Sequence, residues 1–521
     1  MTATTRSMRT SVSRPHAGLL ACQLKTDNDV FDKDGMVSTS TEVQQDTRFF
    51  GHPRGLANLF GVEMWERFSY YGMLGILPIY LYYEVSQGGL ALPKASALGI
   101  VGAYGGMVYL SAVIGAWVAD RVLGSERTLF YSAILIMIGH ISLAVLPGLA
   151  GIGVGLVCVA VGSGGLKSNA TAIVGTLYAD GDERRDGGFT IFYMGVNIGG
   201  FVGPLLTGLA QSEIGFHVGF GLAAFGMALG LTQYTIGRKN LGEKASEIPN
   251  PLPASQRPLV FGGTAVGVTA IVLLVVFGVI NPGNLVDVVV WAVAVISVIY
   301  FVVIISSKKI TSDERSRVYS FIPMFIASAA FFSLYQQQFT VVAAYTDERL
   351  NRTIFGWEMP VAWVNSINPV FIILFAPVIA AIWTKLGSRQ PSSPIKFVLG
   401  TVTMGVAFLL FLPMVGSGKN ASPLLALAGI LFVFTMAELM LSPVGLSLST
   451  KLAPEAFRTQ MVALNFLSIS LGTAMSGKLA EYYTVDDEAP YFSIVGGVAI
   501  VVGVALLVAT PMIRKLMKGV H

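Results

Sequence analysis

Residues 285–306 read LVDVVVWAVAVISVIYFVVIIS, an apolar run whose single charged residue is Asp287. About 20 apolar residues in a helix are enough to cross a hydrocarbon core of roughly 30 Å. The run is therefore long enough to span a membrane. Apolar runs of similar length recur along the rest of the chain. The repetition, more than any one run, predicts the fold class.

The composition excludes a soluble globular protein. Of the 521 residues, 53% are hydrophobic and 12% are charged, and the mean hydropathy is +0.67. A soluble chain carries about 25% charged residues, so this one has too few ionic groups to solvate its surface. The net charge is +4, and no basic stripe interleaved with aromatics predicts a nucleic-acid partner. The expected surroundings are a lipid bilayer.

Fourteen spanning segments are predicted, which makes the chain an all-α polytopic membrane protein of two six-helix bundles plus two extra helices. The domains are a disordered cytoplasmic tail over 1–54, a bundle over 55–240, a linker with the two extra helices over 241–317, and a second bundle over 318–521. The predicted spans are 55–84, 95–119, 128–147, 150–176, 188–210, 216–237, 258–280, 285–306, 318–345, 361–386, 394–413, 422–450, 458–482 and 490–513.

The positions of lysine and arginine test this topology, because cytoplasmic loops of membrane proteins are enriched in both. With both termini inside, 27 of the 34 lysines and arginines fall in the tails and inner loops. The outer loops hold four of them, Lys94, Arg349, Arg352 and Lys419. The bias predicts a multi-pass protein of the cell inner (plasma) membrane with both termini cytoplasmic.

The two halves of the chain resemble each other at one inner loop. The loop after the second span reads Gly115-Ala-Trp-Val-Ala-Asp120-Arg121-Val-Leu-Gly124, and the second half carries a weaker version over 383–389. Such a repeat is typical of a duplicated transporter. We expect Asp120 and Arg121 to form an inner-gate loop, in which Asp120 pairs with an arginine and caps a helix. The alternative is a solvated turn.

Ionisable residues inside a spanning helix are costly and usually face a partner or water. The first span contains Glu63, Glu66 and Arg67 within one turn, with Glu63 and Arg67 spaced to form an i,i+4 pair. Two acids against one base leave a carboxylate that can hold a proton. Lys167 in the fourth span is a plausible partner for that carboxylate. The cluster indicates proton transfer, and the alternative is a set of static salt bridges.

Further polar residues at membrane depth indicate a cavity between the halves. Glu438 is an acid near the middle of its span, and we expect it to contact a substrate amine rather than to be a packing residue. Asn197 offers an amide among small residues. Singly, the others are typical of packing, but together they favour a polar cavity; they are Tyr70, Tyr71, Tyr109 and Asn368.

These motifs resemble the proton-dependent oligopeptide transporter family of the major facilitator superfamily, in its bacterial form. The resemblance covers residues 50–515. It is carried by Glu63-x-x-Glu66-Arg67, by Gly165-x-Lys167-x-Asn169 with Phe192-Tyr-Met-Gly-Val-Asn197-Ile-Gly199, by Asn368-Pro369, and by Glu438-Leu-x-Leu-Ser442-Pro443. It implies the major facilitator fold and a symporter that takes up di- and tripeptides with protons.

The resemblance also implies roles for single residues. Glu63, Glu66, Arg67 and Lys167 would form the proton-coupling region. The peptide pocket would be lined by Tyr70, Tyr71, Tyr109, Lys167, Asn197, Gln336, Asn368, Glu438 and Asn465, with Glu438 at the peptide amino terminus.

Four positions depart from the family pattern. Family members commonly carry an arginine at Leu74 and a glutamate at Gln336, and these two are thought to pair. Two pocket positions that are usually tryptophan are Phe332 and Asn465. The loss of both charges leaves no orphan ion, so we expect a working but altered pocket.

The residues leave two other functions open and exclude others. The altered pocket leaves transport of another small zwitterion or anion as an alternative, and a non-transporting peptide sensor as another. The five histidines are scattered and no His-Glu-x-x-His motif occurs, so we predict no enzyme, metal site or cofactor. The expected partners are small peptides and protons, and the expected state is a monomer.

Overall fold

The computed structural model describes residues 46–179, 182–416 and 418–520. Most of the predicted tail, residues 1–45, lies outside this part of the chain. The helices, in chain order, are α1 Arg54–Tyr82, α2 Lys94–Val118, α3 Ser125–Val145, α4 Gly148–Thr176, α5 Arg184–Glu213, α6 Phe216–Gly237, α7 Arg257–Val276, α8 Leu285–Ser306, α9 Ser312–Tyr335, α10 Val341–Glu348, α11 Ile367–Leu386, α12 Ser393–Leu409, α13 Leu424–Lys451, α14 Arg458–Ala480 and α15 Glu488–Leu516.

Twelve helical segments in the described residues are long and apolar enough to cross a membrane. Lipid offers the backbone no hydrogen-bond partner, so spanning segments satisfy their own N–H and C=O groups as helices. The predicted polytopic helical fold is confirmed. Helices α1 and α14 have 29 and 23 residues but are not among the twelve. The expected total of fourteen spanning helices therefore stays a prediction.

The helices pack as two groups, each with its own hydrophobic core. In the first group α1 packs against α5 and α6, and α4 packs against α2 and α3. In the second group α12 packs against α13 and α15, and α9 packs against α14. The groups meet where α2 crosses α14 and where α5 crosses α11.

The two extra helices lie at the edge of this arrangement. No residue of α7 is buried, whereas α8 packs against α2 and α14. Lys478 of α14 lies 2.8 Å from the Asp287 carboxylate of α8, which fastens that helix to the second group. An apolar helix with no buried residue is suited to contact with lipid on all sides.

The predicted span 318–345 is present within the longer segment Ser312–Glu348, but it is not one helix. Helix α9 ends at Tyr335, a 3-10 turn covers Gln336–Phe339, and α10 starts at Val341. Thr340 between them has φ −123° and ψ −89°, outside the helical region. The break leaves three consecutive glutamines, 336–338, in a non-α-helical turn at membrane depth.

Two smaller features were not predicted. A two-stranded hairpin, β1 Thr353–Ile354 and β2 Trp357–Glu358, follows α10 with Thr353 opposite Glu358. Helix α11 is preceded by a 3-10 turn over Val361–Ser366. The side of the molecule where α1 starts and α15 ends is called the terminal face below. The side where α1 ends and α15 starts is called the opposite face.

Candidate functional site

Three charged residues of α1 form a buried cluster. Glu63, Glu66 and Arg67 have exposed fractions of 3%, 0% and 3%. The Arg67 Nε atom lies 3.1 Å from Glu63 Oε1 and 2.6 Å from Glu66 Oε2, so the arginine is shared between two acids. Ser163 of α4 donates a hydrogen bond to Glu66. The cluster therefore holds one more acid than base, as the sequence predicted.

The hydrogen bonding of this cluster is incomplete. In the described residues Glu63 Oε2 and Arg67 Nη2 are buried without a hydrogen-bond partner. The short Arg67–Glu66 contact is an ionic contact that lacks hydrogen-bond alignment, since both atoms also lack such a partner. Buried unsatisfied ions are costly, so the arrangement is suited to changes in protonation rather than to stability.

Lys167 of α4 does not pair with the acids of α1. Its Nζ atom lies 4.4 Å from the centre of the Tyr109 ring and 3.4 Å from the Tyr109 hydroxyl. Among the ion pairs of the described chain none includes Lys167, so the expected pair with a free carboxylate is not formed in this conformation. A cation over an aromatic face retains part of its stabilisation without a counter-ion.

Arg67 also faces aromatic rings. Its guanidinium carbon lies 5.1 Å from the Tyr70 ring centre and 5.9 Å from that of Tyr71. Tyr70 stacks on Tyr104 of α2, with ring centres 6.1 Å apart. These rings shield the arginine from solvent. Tyr71 and Tyr70 also line the two cavities described below.

A central cavity lies between the two helix groups. Helices α1, α5, α11 and α13 and the turn after α9 contribute its walls. It is lined by Tyr71, Tyr193, Val196, Asn197, Gly200, Tyr335, Gln338, Phe339, Asn365, Asn368, Pro369, Ile372 and Glu438. Most of these side chains carry a hydrogen-bonding group, so the cavity presents converging polar groups to a small polar molecule.

Glu438 provides the acid of the central cavity. Asn368 Nδ2 donates to Thr435 Oγ1 over 2.9 Å and approaches Glu438 Oε2 at 3.4 Å. The Tyr335 hydroxyl donates to Asn368 Oδ1 over 3.3 Å. Three helical segments thus orient one partly exposed carboxylate toward the cavity.

A second, narrow cavity lies between α1, α2, α14 and the turn after α9. Its lining residues on α2 and α14 belong to the halves of those helices nearer the opposite face. It is lined by Tyr70, Leu74, Val101, Gly102, Gly105, Gln336, Phe339, Thr340, Thr473 and Ser476. Leu74 and Gln336, two of the four departures from the family pattern, therefore face the same space.

The structure distributes the residues predicted to bind substrate among several places. Tyr71, Asn197, Asn368 and Glu438 line the central cavity, whereas Tyr70 and Gln336 line the second one. Neither of these two cavities includes Asn465, whose Oδ1 lies against Gly445 of α13.

Phe332 is likewise away from both cavities. It packs against Tyr335 and Gly472. In this conformation Asn465 lies against α13 and Phe332 against α14, and their place in the peptide pocket stays a prediction.

Five polar or aromatic lining residues of the central cavity were missed. They are Tyr193, Tyr335, Gln338, Phe339 and Asn365. Asn365 stands one helical turn before Asn368, and Gln338 stands in the polar run 336–338, so spacing could have indicated both. Nothing in the local pattern of the three aromatic residues marked them out from packing residues.

The predicted inner-gate loop forms a π-helical turn over Ala119–Leu123. The carbonyl oxygens of Asp120 and Arg121 accept hydrogen bonds from the backbone N–H groups of Asn250 and Leu252. The ion pairs of the described chain do not include Asp120, so its expected pairing with an arginine is not seen. In this conformation the loop binds the linker through its backbone.

The opposite face is closed by α10. The hydroxyls of Tyr82 and Tyr83 donate to the Asp347 carboxylate over 2.9 and 2.7 Å. Lys94 pairs with Glu348. These contacts join the end of α1 and the start of α2 to the second helix group.

Further hydrogen bonds join the two helix groups. They lie between the opposite face and the middle of the helices. Ser366 donates to the Phe201 carbonyl over 2.8 Å, Trp363 to Leu205 and Ser470 to Gly106. By contrast Tyr193, in the half of α5 nearer the terminal face, lines the cavity and is 46% exposed. The central cavity is therefore closed toward the opposite face and is accessible from the terminal side.

Comparisons with known proteins agree on one family. A sequence model described as the POT family matches residues 126–495. The chain is 43% identical over 479 residues to the uncharacterized transporter YclF of Bacillus subtilis, covering 91% of this chain and 96% of that protein. It is 40% identical over 487 residues to a di-/tripeptide transporter of Lactococcus lactis subsp. cremoris, covering 91% and 98%.

Solved structures show the same likeness. A mutant of a peptide transporter POT in complex with alafosfalin matches with a TM-score of 0.87 at 46% identity, covering 91% of this chain and 98% of that one. A POT family transporter in complex with 5-aminolevulinic acid matches with a TM-score of 0.85 at 40% identity, covering 90% and 98%.

Proposed function

Because the chain belongs to the POT family, we propose that it is a proton-coupled symporter that imports di- and tripeptides by alternating access. Relatives at 40% identity over nearly their whole length carry the name di-/tripeptide transporter, which supports this substrate class. Members of the family are transporters. We assign the cavity residues to substrate binding, and the contacts at the opposite face to gating.

The observation that carries the proposal is the charge distribution around the central cavity. Glu438 of α13 faces the cavity from the second helix group, held by Asn368. The cations Arg67 and Lys167 stand in the first group, near Tyr71, which lines the same cavity. A short peptide is a zwitterion, so its amino terminus suits Glu438 and its carboxylate suits the cationic side.

The buried cluster of α1 is the proposed coupling element. Glu63 and Glu66 share Arg67, so a proton on either acid releases the arginine from one of its two partners. Lys167 stands free of an acid partner over Tyr109 and can approach a peptide carboxylate. Substrate and proton then act on one network, which links binding to gating.

The proposed placement is the plasma membrane with both termini cytoplasmic, because 27 of 34 lysines and arginines fall on that side. The terminal face is then the cytoplasmic one, and the conformation described here is open inward. The proposed bundles are 55–240 and 318–521, with the proposed linker 241–317 between them, and the packing of the helices in two groups supports this division. Monomeric function is the proposed default.

The test is uptake of labelled dialanine into proteoliposomes with and without an inward-acid gradient. We expect accumulation above equilibrium that depends on the gradient. Glu66→Gln should bind peptide and exchange it but lose gradient-driven accumulation, since the buried site can no longer release a proton. Asp313→Asn, an exposed change at the start of α9, is the matched control. A Glu66→Gln protein with full accumulation would refute the proton role.

A second candidate is transport of another small zwitterion. It is favoured by Leu74 and Gln336, which leave the second cavity without charge, and by the neighbouring structure that holds 5-aminolevulinic acid. In the same assay, no dialanine uptake together with thermal stabilisation of the purified protein by 5-aminolevulinic acid would favour this candidate.

A further inference from the structure

One side chain separates the two cavities. Phe339, in the 3-10 turn between α9 and α10, lines both the central cavity and the second cavity. We propose that Phe339 is a specificity-determining residue: its ring closes the central cavity on the opposite-face side and sets the greatest length of substrate that fits. The substrate class in this inference rests on the proposed peptide transport.

The ring is held in its dividing position. It stacks on Tyr71 of α1 with ring centres 5.8 Å apart and an angle of 21° between the planes. Its exposed fraction is 6%. The turn that carries Phe339 follows α9 of the second helix group, while its ring packs in the core of the first group against Tyr71, so the stack spans the interface and ends the central cavity there.

The narrow space behind the ring is lined by polar groups that could bind a backbone amide once the ring is removed. Thr340 Oγ1 is buried there with no hydrogen-bond partner among the described residues. The hydroxyls of Thr473 and Ser476 donate to carbonyls of their own helix, which leaves their oxygens free to accept. Gln336 adds an amide to the same wall.

A peptide lengthened by one residue extends by about 3.3–3.6 Å and adds one backbone N–H and one C=O. The neutral donors and acceptors of the second cavity suit such an amide, whereas the cavity has no cation for a carboxylate. With Phe339 in place, the added residue meets the ring. Without the ring, the central cavity gains the volume of the removed side chain and becomes continuous with the narrow space behind it.

The first experiment compares unlabelled di-, tri- and tetra-alanine as competitors of labelled dialanine uptake. Phe339→Ala should lower the ratio of the tetra-alanine to the dialanine half-inhibitory concentration by about tenfold, the scale of discrimination by a shaped apolar contact. Phe339→Leu should give an intermediate ratio. Phe225→Ala, which truncates a 59% exposed phenylalanine of α6, should leave the ratio unchanged. An unchanged ratio in Phe339→Ala would overturn the inference.

The second experiment does not depend on peptide transport. Leu74→Cys is introduced into a chain that carries Cys22→Ser and Cys158→Ala, and a membrane-impermeant thiol reagent is applied from the terminal face. Leu74 lies behind the ring, so Phe339→Ala should raise the labelling rate several-fold. Equal labelling with and without the ring would overturn the partition. If no peptide competes in the wild type, the proposed function fails, while faster labelling still supports Phe339 as the partition.

Discussion

At the scale of single residues, the sequence predicts contacts within one helix but not contacts between helices. The spacing of Glu63 and Arg67 predicted an i,i+4 pair, and the structure places their atoms 3.1 Å apart. The partner of Lys167 could not be predicted, because it is fixed by the crossing of α4 and α2, and Tyr109 takes the place expected for a carboxylate. Local spacing sets contacts within a helix, and tertiary packing sets the others.

Leu74 of α1 and Gln336 of the turn after α9 face one cavity, so a charge pair should be restorable there. Leu74→Arg alone buries an unpaired cation and should destabilise the protein by about 3–5 kcal/mol. Gln336→Glu alone should be milder, because a buried carboxyl can stay neutral by holding a proton. The double variant should regain most of the stability and shift the pH dependence of uptake.

Thermal unfolding of the purified variants and uptake between pH 5 and 8 measure both effects. The double-mutant cycle should show a stabilising interaction between positions 74 and 336. Additive changes, or a single variant that behaves like the double, would contradict the placement of these residues across one cavity.

At the scale of elements, the break after α9 is the feature that sequence reasoning missed most plainly. Residues 312–348 are apolar enough to span a membrane, and this hydropathy predicted the span without its interior geometry. The 3-10 turn over Gln336–Phe339 depends on contacts with other elements, such as the stack of Phe339 on Tyr71. Three glutamines in a row were a visible polar signal, yet only the fold shows that Gln336 lines the second cavity and Gln338 the central one.

The crossing of α2 and α14 depends on two glycines. A Cβ atom added at Gly102 would lie 2.3 Å from the Cα atom of Gly477, closer than side chains pack. Gly102→Ala should therefore push the helix groups apart, at a cost of about 1–3 kcal/mol, and lower Tm. Gly497→Ala on α15 is the matched control, since nothing lies within 4 Å of its added Cβ.

Scanning fluorimetry in detergent compares the two alanine variants with the wild type. We expect a lower Tm and reduced uptake for Gly102→Ala, and a Tm at or slightly above that of the wild type for Gly497→Ala. Equal Tm values for both variants would mean that the crossing is not closely packed in the membrane protein.

At the scale of the whole molecule, composition and charge placement predicted the polytopic helical fold and its two-part order. They did not indicate a conformation, because alternate states of a transporter share one sequence and one set of spans. The structure adds this information through contacts between distant elements. Asp347 is bound by Tyr82 and Tyr83, residues more than 260 positions earlier in the chain, at the opposite face.

These contacts have to break before the cavity can open to the opposite face, so their strength sets the balance between the two states. Asp347→Asn weakens two hydrogen bonds to a charged acceptor, each worth about 1.5–3 kcal/mol, and should favour the state open to the opposite face. Glu84→Gln is the matched control, because this exposed acid bonds within its own loop.

The shift in population between the two states can be measured with a cysteine in place of Ile372, which lines the central cavity. A membrane-impermeant reagent applied to right-side-out vesicles should label Ile372→Cys about tenfold faster with Asp347→Asn, since 1.4 kcal/mol changes an equilibrium tenfold. Labelling from the terminal face should slow in parallel. Faster labelling from both faces would indicate local unfolding instead, and unchanged labelling would mean that the Asp347 contacts do not hold the opposite face closed.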